Sequence, residues 1–399
     1  MKAIVIPQYT QRLMVGTFVA ASFFATTVQA NAAIQQPELD NSAFILIDYD
    51  TGTVLAQKNA AQPFPPASLT KMMTSYIIEQ RLLSGALKEN EPVLMTPEAW
   101  CKGSSEESCM YVPVNTTAPV IDMLKGIIIQ SGNDASKAMA QHIGGSETTF
   151  ADLMNEEAKK IGMTHTHFMN ATGMPQEGHQ ASAEDLAKLA QAIIKNSKKY
   201  YPIYSQKQFT YNGITQGNRN ALLFTDPTVD GLKTGHTDEA GYCLVASSKR
   251  GDMRLISVIM GTKSVQERAD QSRNLLNWGF SNFATKIAAP AQKNYGSVPV
   301  NFGAVDKVNV VSKGNLQVLV PKLDQEKIST VVNLPADVKA PLAQGQEVGK
   351  LVAMLNGKPV ASVPLVAESQ VQEAGIFKRM WQHIVVFFVS IRPSHLFHT

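Results

Sequence analysis

The apolar run Ala43-Phe44-Ile45-Leu46-Ile47, a turn at Asp50-Thr51-Gly52 and the run Val54-Leu55-Ala56 predict a β-hairpin near the start of the folded part. The pattern then turns helical over Thr74-Ser75-Tyr76-Ile77-Ile78-Glu79-Gln80-Arg81-Leu82-Leu83, with Pro66 placed to precede or open that helix. Residues 84–118 are loop-like, with short strands expected around Val93-Leu94-Met95 and Met110-Tyr111-Val112. Helical periodicity returns at 120–129, 135–143, 148–161 and 183–195, where Ser182 or nearby acids supply a cap. From 208 onward strands reappear: Phe209-Thr210-Tyr211, the turn Asn212-Gly213, then Ile214-Thr215. The stretch around Lys233 leads into apparent antiparallel neighbours at 241–247 and 254–260, joined at Arg250-Gly251-Asp252, and a helix over 265–283 follows.

After Ile287 helical periodicity stops and short β-type runs alternate with turns, which predicts a small all-β domain over 286–373. It carries no constellation of reactive side chains, so a spacer or interaction role is expected. From 374 to 399, Phe377, Met380, Trp381, Ile384, Val385 and Phe388 fall on one helical side, opposite Lys378, Arg379, Gln382 and His383. The apolar part is too short to cross a bilayer, and the pattern predicts an amphipathic helix lying on a membrane surface. At the other end, a basic start, an apolar run over 13–25 and small residues near Ala30 predict a signal peptide over 1–32. The span 33–285 is left as the catalytic domain.

Composition adds little beyond this. The 399-residue chain is 44% hydrophobic and 17% charged, which fits a globular protein with a sizeable core. Its formal charge of +3 includes Lys2 and Arg12 of an acid-free leader, so the remainder is too weakly basic to argue for nucleic acid. In an exported chain, Cys101 and Cys109 are close enough in sequence for a disulfide, and Cys243 sits in an apolar strand as a plain buried thiol. No spacing of cysteines and histidines suggests a metal site, the pair His165 and His167 included, and no cofactor is expected.

Three short stretches carry the chemistry. Ser68 and Lys71 stand three apart, on one face of a helix, where a desolvated amine can take the serine proton. Ser131-Gly132-Asn133 falls in a turn between two predicted helices, and Lys233-Thr234-Gly235 lies beside a strand. Each is weak alone; the ordered trio is specific to penicillin-binding proteins and class A β-lactamases. With Pro66-Ala67-Ser68-Leu69-Thr70-Lys71, Asn218-Arg219-Asn220, Asp230 to Thr237, the β-domain and the tail, the chain resembles the low-molecular-mass penicillin-binding proteins of the type-5/6 group, which are D-alanyl-D-alanine carboxypeptidases.

The resemblance implies an α+β penicillin-binding/DD-peptidase fold, with an antiparallel sheet flanked by helices and a helical subdomain. It implies the D-Ala-D-Ala end of peptidoglycan pentapeptide as substrate, β-lactams as covalent inhibitors, and work at the periplasmic face of the inner membrane. Ser68 is then the nucleophile, Lys71 its base and Ser131 a proton relay. Asn133 binds the substrate backbone, while Lys233, Thr234 and Arg219 bind the terminal carboxylate, with help from Arg268. By the same analogy, backbone amides of Ser68 and His236, beside Gly235, form the oxyanion hole. Two features depart from the family pattern: the Cys101 to Cys109 loop, and Lys137 where a small residue or cysteine is expected. The first rival is a class A-like β-lactamase, which needs a glutamate-held water that no Glu-x-x-Leu-Asn segment supplies. The second is a structural wall-binding protein on a dead enzyme fold, which the intact motifs oppose.

Overall fold

The computed structural model describes residues 34–102 and 107–381, so the leader expected at 1–32 and most of the expected tail helix lie outside the described residues. Five antiparallel strands form the central sheet in the order Val54–Lys58, Ala43–Asp48, Met253–Thr262, Gly241–Arg250 and Val229–Thr237. Successive side chains of a strand point to opposite faces, and here both faces are covered. Ile45, Ile47, Val245, Ile256 and Val258 pack with Met72 and Ile78 of helix Lys71–Ser84 and with Leu186 of helix Ala183–Asn196. Phe44, Leu46, Leu244, Leu255 and Ile259 pack against Leu275, Leu276 and Phe280 of helix Val265–Asn282. Double coverage explains why these strands read as continuous apolar runs, and each such side chain contributes roughly 1.5–3 kcal/mol by leaving water.

The first of these cores continues into a helical lobe made by Val120–Lys125, Asn133–Gly144 and Glu147–Ile161, through Met123, Leu124, Met139, Phe150 and Met154. Helix Lys71–Ser84 is shared between lobe and sheet, so its first residues open at the seam. The helix expected over 120–129 is not uniform: from Gly126 to Gln130 it widens into a π turn, a local distortion frequent at functional sites. A second expectation fails. Pro92–Leu94 is a strand, paired with Thr117–Pro119, but Met110-Tyr111-Val112, also expected to be a strand, is not one. The latter segment is held by side-chain bonds described below, and Tyr111 has a positive φ of 65° that no regular strand accommodates.

The β-rich part begins earlier than composition indicated. Helix Val265–Asn282 passes without a linker into strand Phe283–Ala289, which pairs with Leu316–Pro321. A six-stranded sheet follows, in the order Ile328–Asn333, Glu347–Leu355, Lys358–Ala367, Lys307–Ser312, Asn294–Asn301 and Val338–Lys339. The core shared by these two sheets, with Val298, Val310, Val318, Leu351 and Leu365, is separate from the two cores of the sheet-and-helix part. Backbone 376–381 is helical, with Ile376, Phe377, Met380 and Trp381 all exposed. No helix among the described residues is long and apolar enough to cross a membrane.

Candidate active site

Ser68 sits in a 3-10 turn, Ala67–Thr70, that feeds the α-helix at Lys71. Ala67 enters that turn at a φ of 48°, unusual for a residue with a Cβ. Two glycines explain how the turn is accommodated. A Cβ on Gly173 would lie 1.8 Å from the Ala67 carbonyl oxygen, and one on Gly235 would lie 3.0 Å from that of Pro66. The turn is therefore clamped between the backbone of 171–173 and that of the Lys-Thr-Gly strand, which lies at an edge of the sheet.

Lys71 is fully buried, and its Nζ lies 2.9 Å from Ser68 Oγ and 2.6 Å from the Thr172 carbonyl oxygen. Burial, then the charge of Arg219, pulls its pKa down to about 7, against a partial upward pull from Glu107. Among the neighbouring charges, Arg219 has the largest influence. A neutral amine has two N–H bonds and one lone pair. With one N–H given to Thr172, the lone pair is free to face the Ser68 hydroxyl.

The segment that supplies the Thr172 carbonyl escaped sequence reasoning. Asn170 Oδ1 accepts from Thr172 N, Thr172 Oγ1 and Gly173 N, a local turn that aims the carbonyl at Lys71. His179 supports it from behind. Its Nδ1 accepts from the Met169 amide at 2.9 Å, so the other nitrogen, Nε2, is the one that donates, 2.8 Å from Thr70 Oγ1. Burial holds this imidazole's pKa down at about 4, so it is neutral at pH 7. The only signal in the sequence was the run Asn170-Ala171-Thr172-Gly173, a turn composition without a motif.

Ser131 caps the π turn in the left-handed conformation, φ 60° and ψ 34°, whereas Gly132 is extended at φ −60° and ψ 116°. The residue in the left-handed region is thus the serine and not Gly132, where a Cβ would lie 3.1 Å from the Met110 amide nitrogen. Its Oγ accepts from Lys233 Nζ at 3.0 Å, and the same Nζ donates to the Thr234 carbonyl at 3.0 Å. Burial, followed by the charges of Lys71, Arg219 and Arg268, pulls the Lys233 pKa well down.

Ser68, Ser131, Arg219, Thr234, Gly235, His236 and Arg268 line one cleft of about 540 Å3. Arg219 is exposed in it, and the flanking asparagines pin its turn: Asn218 Nδ2 bonds the Gln206 carbonyl and Asn220 Nδ2 bonds that of Gly231. Arg268 is not a helix-surface charge. It is 6% exposed and turned inward, donating to the Gly235 carbonyl at 3.0 Å beneath the stacked rings of His236 and Tyr242. A slightly larger cavity, about 580 Å3 between Tyr49, Tyr76 and Lys160, holds no nucleophile beside a base.

The remaining wall is the loop closed by a Cys101–Cys109 disulfide, which brings Glu107 and Ser108 into the cleft. Asp134 accepts from the amides of Met110, Tyr111 and Val112, and Gln216 bonds the Cys109 carbonyl. Asn133 does not face the cleft. It is 2% exposed, its Nδ2 donates to Glu107 Oε2 at 2.9 Å, and Lys137 Nζ lies 3.3 Å from the same oxygen. Cys243 is a free buried thiol behind the Lys-Thr-Gly strand, with a pKa raised to about 11 by burial.

Comparison with known proteins gives the family. Residues 30–264 match the family "D-alanyl-D-alanine carboxypeptidase", and residues 283–373 match "Penicillin-binding protein 5, C-terminal domain". The chain is 40% identical over 358 residues to D-alanyl-D-alanine carboxypeptidase DacA of Escherichia coli K12, covering 88% of this chain and 89% of that protein. The crystal structure of penicillin binding protein 5 from Haemophilus influenzae superposes with a TM-score of 0.78 at 38% identity, covering 85% of this chain and all of the other (100%). An ampicillin-bound penicillin-binding protein D2 from Listeria monocytogenes matches 62% of the chain and 99% of its own length, at 27% identity and a TM-score of 0.56. With a serine against a buried lysine, a second serine on another buried lysine and a cationic cleft end in the family's own order, the chain belongs to the D-alanyl-D-alanine carboxypeptidase family of penicillin-binding proteins.

Proposed function

We propose that this chain is a serine-type D-Ala-D-Ala carboxypeptidase, removing the terminal D-alanine of peptidoglycan pentapeptide through a Ser68 acyl-enzyme. The observation that carries the reading is the 2.9 Å contact between Ser68 Oγ and a buried Lys71 amine whose pKa is brought to about 7. Lys71 takes the serine proton as Oγ bonds to the penultimate carbonyl carbon. The resulting oxyanion is met by backbone amides of Ser68 and His236. The C–N bond then breaks, and D-alanine leaves with a proton relayed through Ser131. Water hydrolyses the ester in a second step that restores Ser68.

The cationic end of the cleft suits the terminal carboxylate. Arg219 lowers the protonation of Lys71, Lys233 and Arg268, Lys71 and Arg268 add to the effect on Lys233, and an anion relieves that repulsion. Lys233, Thr234 and Arg219 bind it directly, while Arg268 holds the Gly235 carbonyl and so the strand in place. Glu107 is the one acid lining the cleft among the described residues, and Asn133 and Lys137 already engage it. A carboxylate so occupied gives little support to the rival β-lactamase, which must hold a deacylating water.

The finer placement follows the same reading: export by the leader, and a peripheral position on the periplasmic side of the inner membrane through the tail. The exposed Ile376, Phe377, Met380 and Trp381 favour such a surface. Work on the outer wall implies a role in wall maturation and cell shape. Intact mass after penicillin treatment, with D-alanine release from a pentapeptide, tests the core claim. A long-lived adduct on Ser68 together with D-alanine release is expected; labelling elsewhere, or rapid penicillin turnover, overturns it.

A further inference from the structure

Glu107 has no task in the reading above, yet it occupies a decisive place. Both departures from the family pattern, the disulfide-closed loop and Lys137, meet at its carboxylate. Oε2 accepts from Asn133 Nδ2 at 2.9 Å and lies 3.3 Å from Lys137 Nζ. Asn133 Oδ1 is buried with no partner among the described residues. Glu107 lines the cleft, whereas Asn133 is 2% exposed behind it. Glu107 therefore stands between the cleft and the Asn133 donor. A bond to a carboxylate is roughly twice as strong as one to a neutral carbonyl, so the exchange is not free.

We propose that Glu107 is a specificity-determining residue: its carboxylate stands where a ligand's acylamino carbonyl oxygen binds Asn133, and Lys137 retains it when the ligand displaces it. The inference rests on the assignment of Asn133 to the ligand's backbone made above. Lys137 matters because a carboxylate only 15% exposed is costly to leave unpaired. With Lys137 present, Glu107 gives up one partner and keeps the other. Ligands that present a carbonyl at this point compete with Glu107; ligands that lack one have nothing to displace.

The test compares second-order acylation rates for two penams: benzylpenicillin, with its acylamino carbonyl, and penicillanic acid sulfone, with no side chain at that carbon. The full chain is used as wild type, Glu107→Ala, Lys137→Ala and the double variant. The rate ratio, acylamino over bare, should rise about three- to tenfold in Glu107→Ala and fall by a similar factor in Lys137→Ala. In the double variant the Lys137 effect should vanish, because the residue it retains is gone. Glu107→Gln, a neutral acceptor of similar size, should fall between wild type and Glu107→Ala. The Glu107 charge also acts on Lys71, but that influence is common to both ligands and cancels in the ratio. Labelling by the bare penam verifies that each variant is folded. An unchanged or lowered ratio in Glu107→Ala, or a Lys137 effect that persists in the double variant, overturns the inference alone. Failure of both penams to label wild-type Ser68 overturns the enzymatic reading, and this inference with it.

Discussion

The sheet-and-helix part and the β-rich part are built to different rules. Beyond Phe283 the described core is apolar, and Ser312 is its one buried polar side chain. Before that point Lys71, Glu79, Asn133, Asp134, Lys233 and Arg268 are all buried. Burying a charge or amide costs several kcal/mol unless it is paired. In the first part each of these groups is therefore wired to a neighbour, and for all but Glu79 that wiring surrounds the cleft. The β-rich part buries an apolar core under hydrogen-bonded strands, and none of the cleft residues lies in it. Substitutions should separate the two: changes in the first part alter chemistry or its pH dependence, while changes in the second alter stability.

The largest effect is expected from Ser68→Ala, which should lower D-alanine release by at least about a thousandfold. It should also abolish covalent penicillin labelling while leaving the melting temperature nearly unchanged. Next in size is the pH dependence of acylation. A lysine can serve as the base only when neutral, and the pKa of Lys71 is about 7. The penicillin acylation rate should therefore fall about tenfold per pH unit below that point and level off above it. A rate flat from pH 5 to 8 would remove Lys71 from the base role.

In the β-rich part, Leu351→Ala empties a fully buried position and should cost about 2–5 kcal/mol of stability. Per folded molecule, its acylation rate should stay within about twofold of wild type if the two parts answer to separate cores. A larger loss would show that the β core supports the cleft. The smallest effect sharpens the rule about buried charge. Burial raises the pKa of Glu79 to about 8, and Tyr204 donates to it at 2.8 Å. The folded state keeps a proton that the unfolded state loses near the ordinary value of 4.5. Stability from this group is fully present below that value and is lost as pH rises through about 8. In Glu79→Gln the melting temperature should decline less between pH 5 and pH 8 than in wild type.

The sequence made some of this plain and hid the rest. Ser68 with Lys71, Ser131, and Lys233 with Thr234 were readable because helices and strands impose short fixed spacings, and a motif records them. Sheet strands such as Ala43–Asp48 and Met253–Thr262 announced themselves as apolar runs because both of their faces are covered. The β-rich part showed in its alternation, but not its first strand, Phe283–Ala289, which follows a helix without the breaker that would have marked it. The segment Met110-Tyr111-Val112 looked like a strand by residue type, yet its amides are taken by Asp134, 22–24 residues away.

By itself, then, the sequence determined the family's three signatures, most of the order of helices and strands and the polarity of the cleft, since propensity and periodicity act over a few residues. Only the tertiary structure decided that Thr172 orients the Lys71 amine, that Arg268 turns inward, and that Glu107 covers Asn133. Those outcomes come from hydrogen bonds between segments up to 101 residues apart. Such bonds are set by which buried polar groups must find partners once the cores close, and no local pattern encodes that choice.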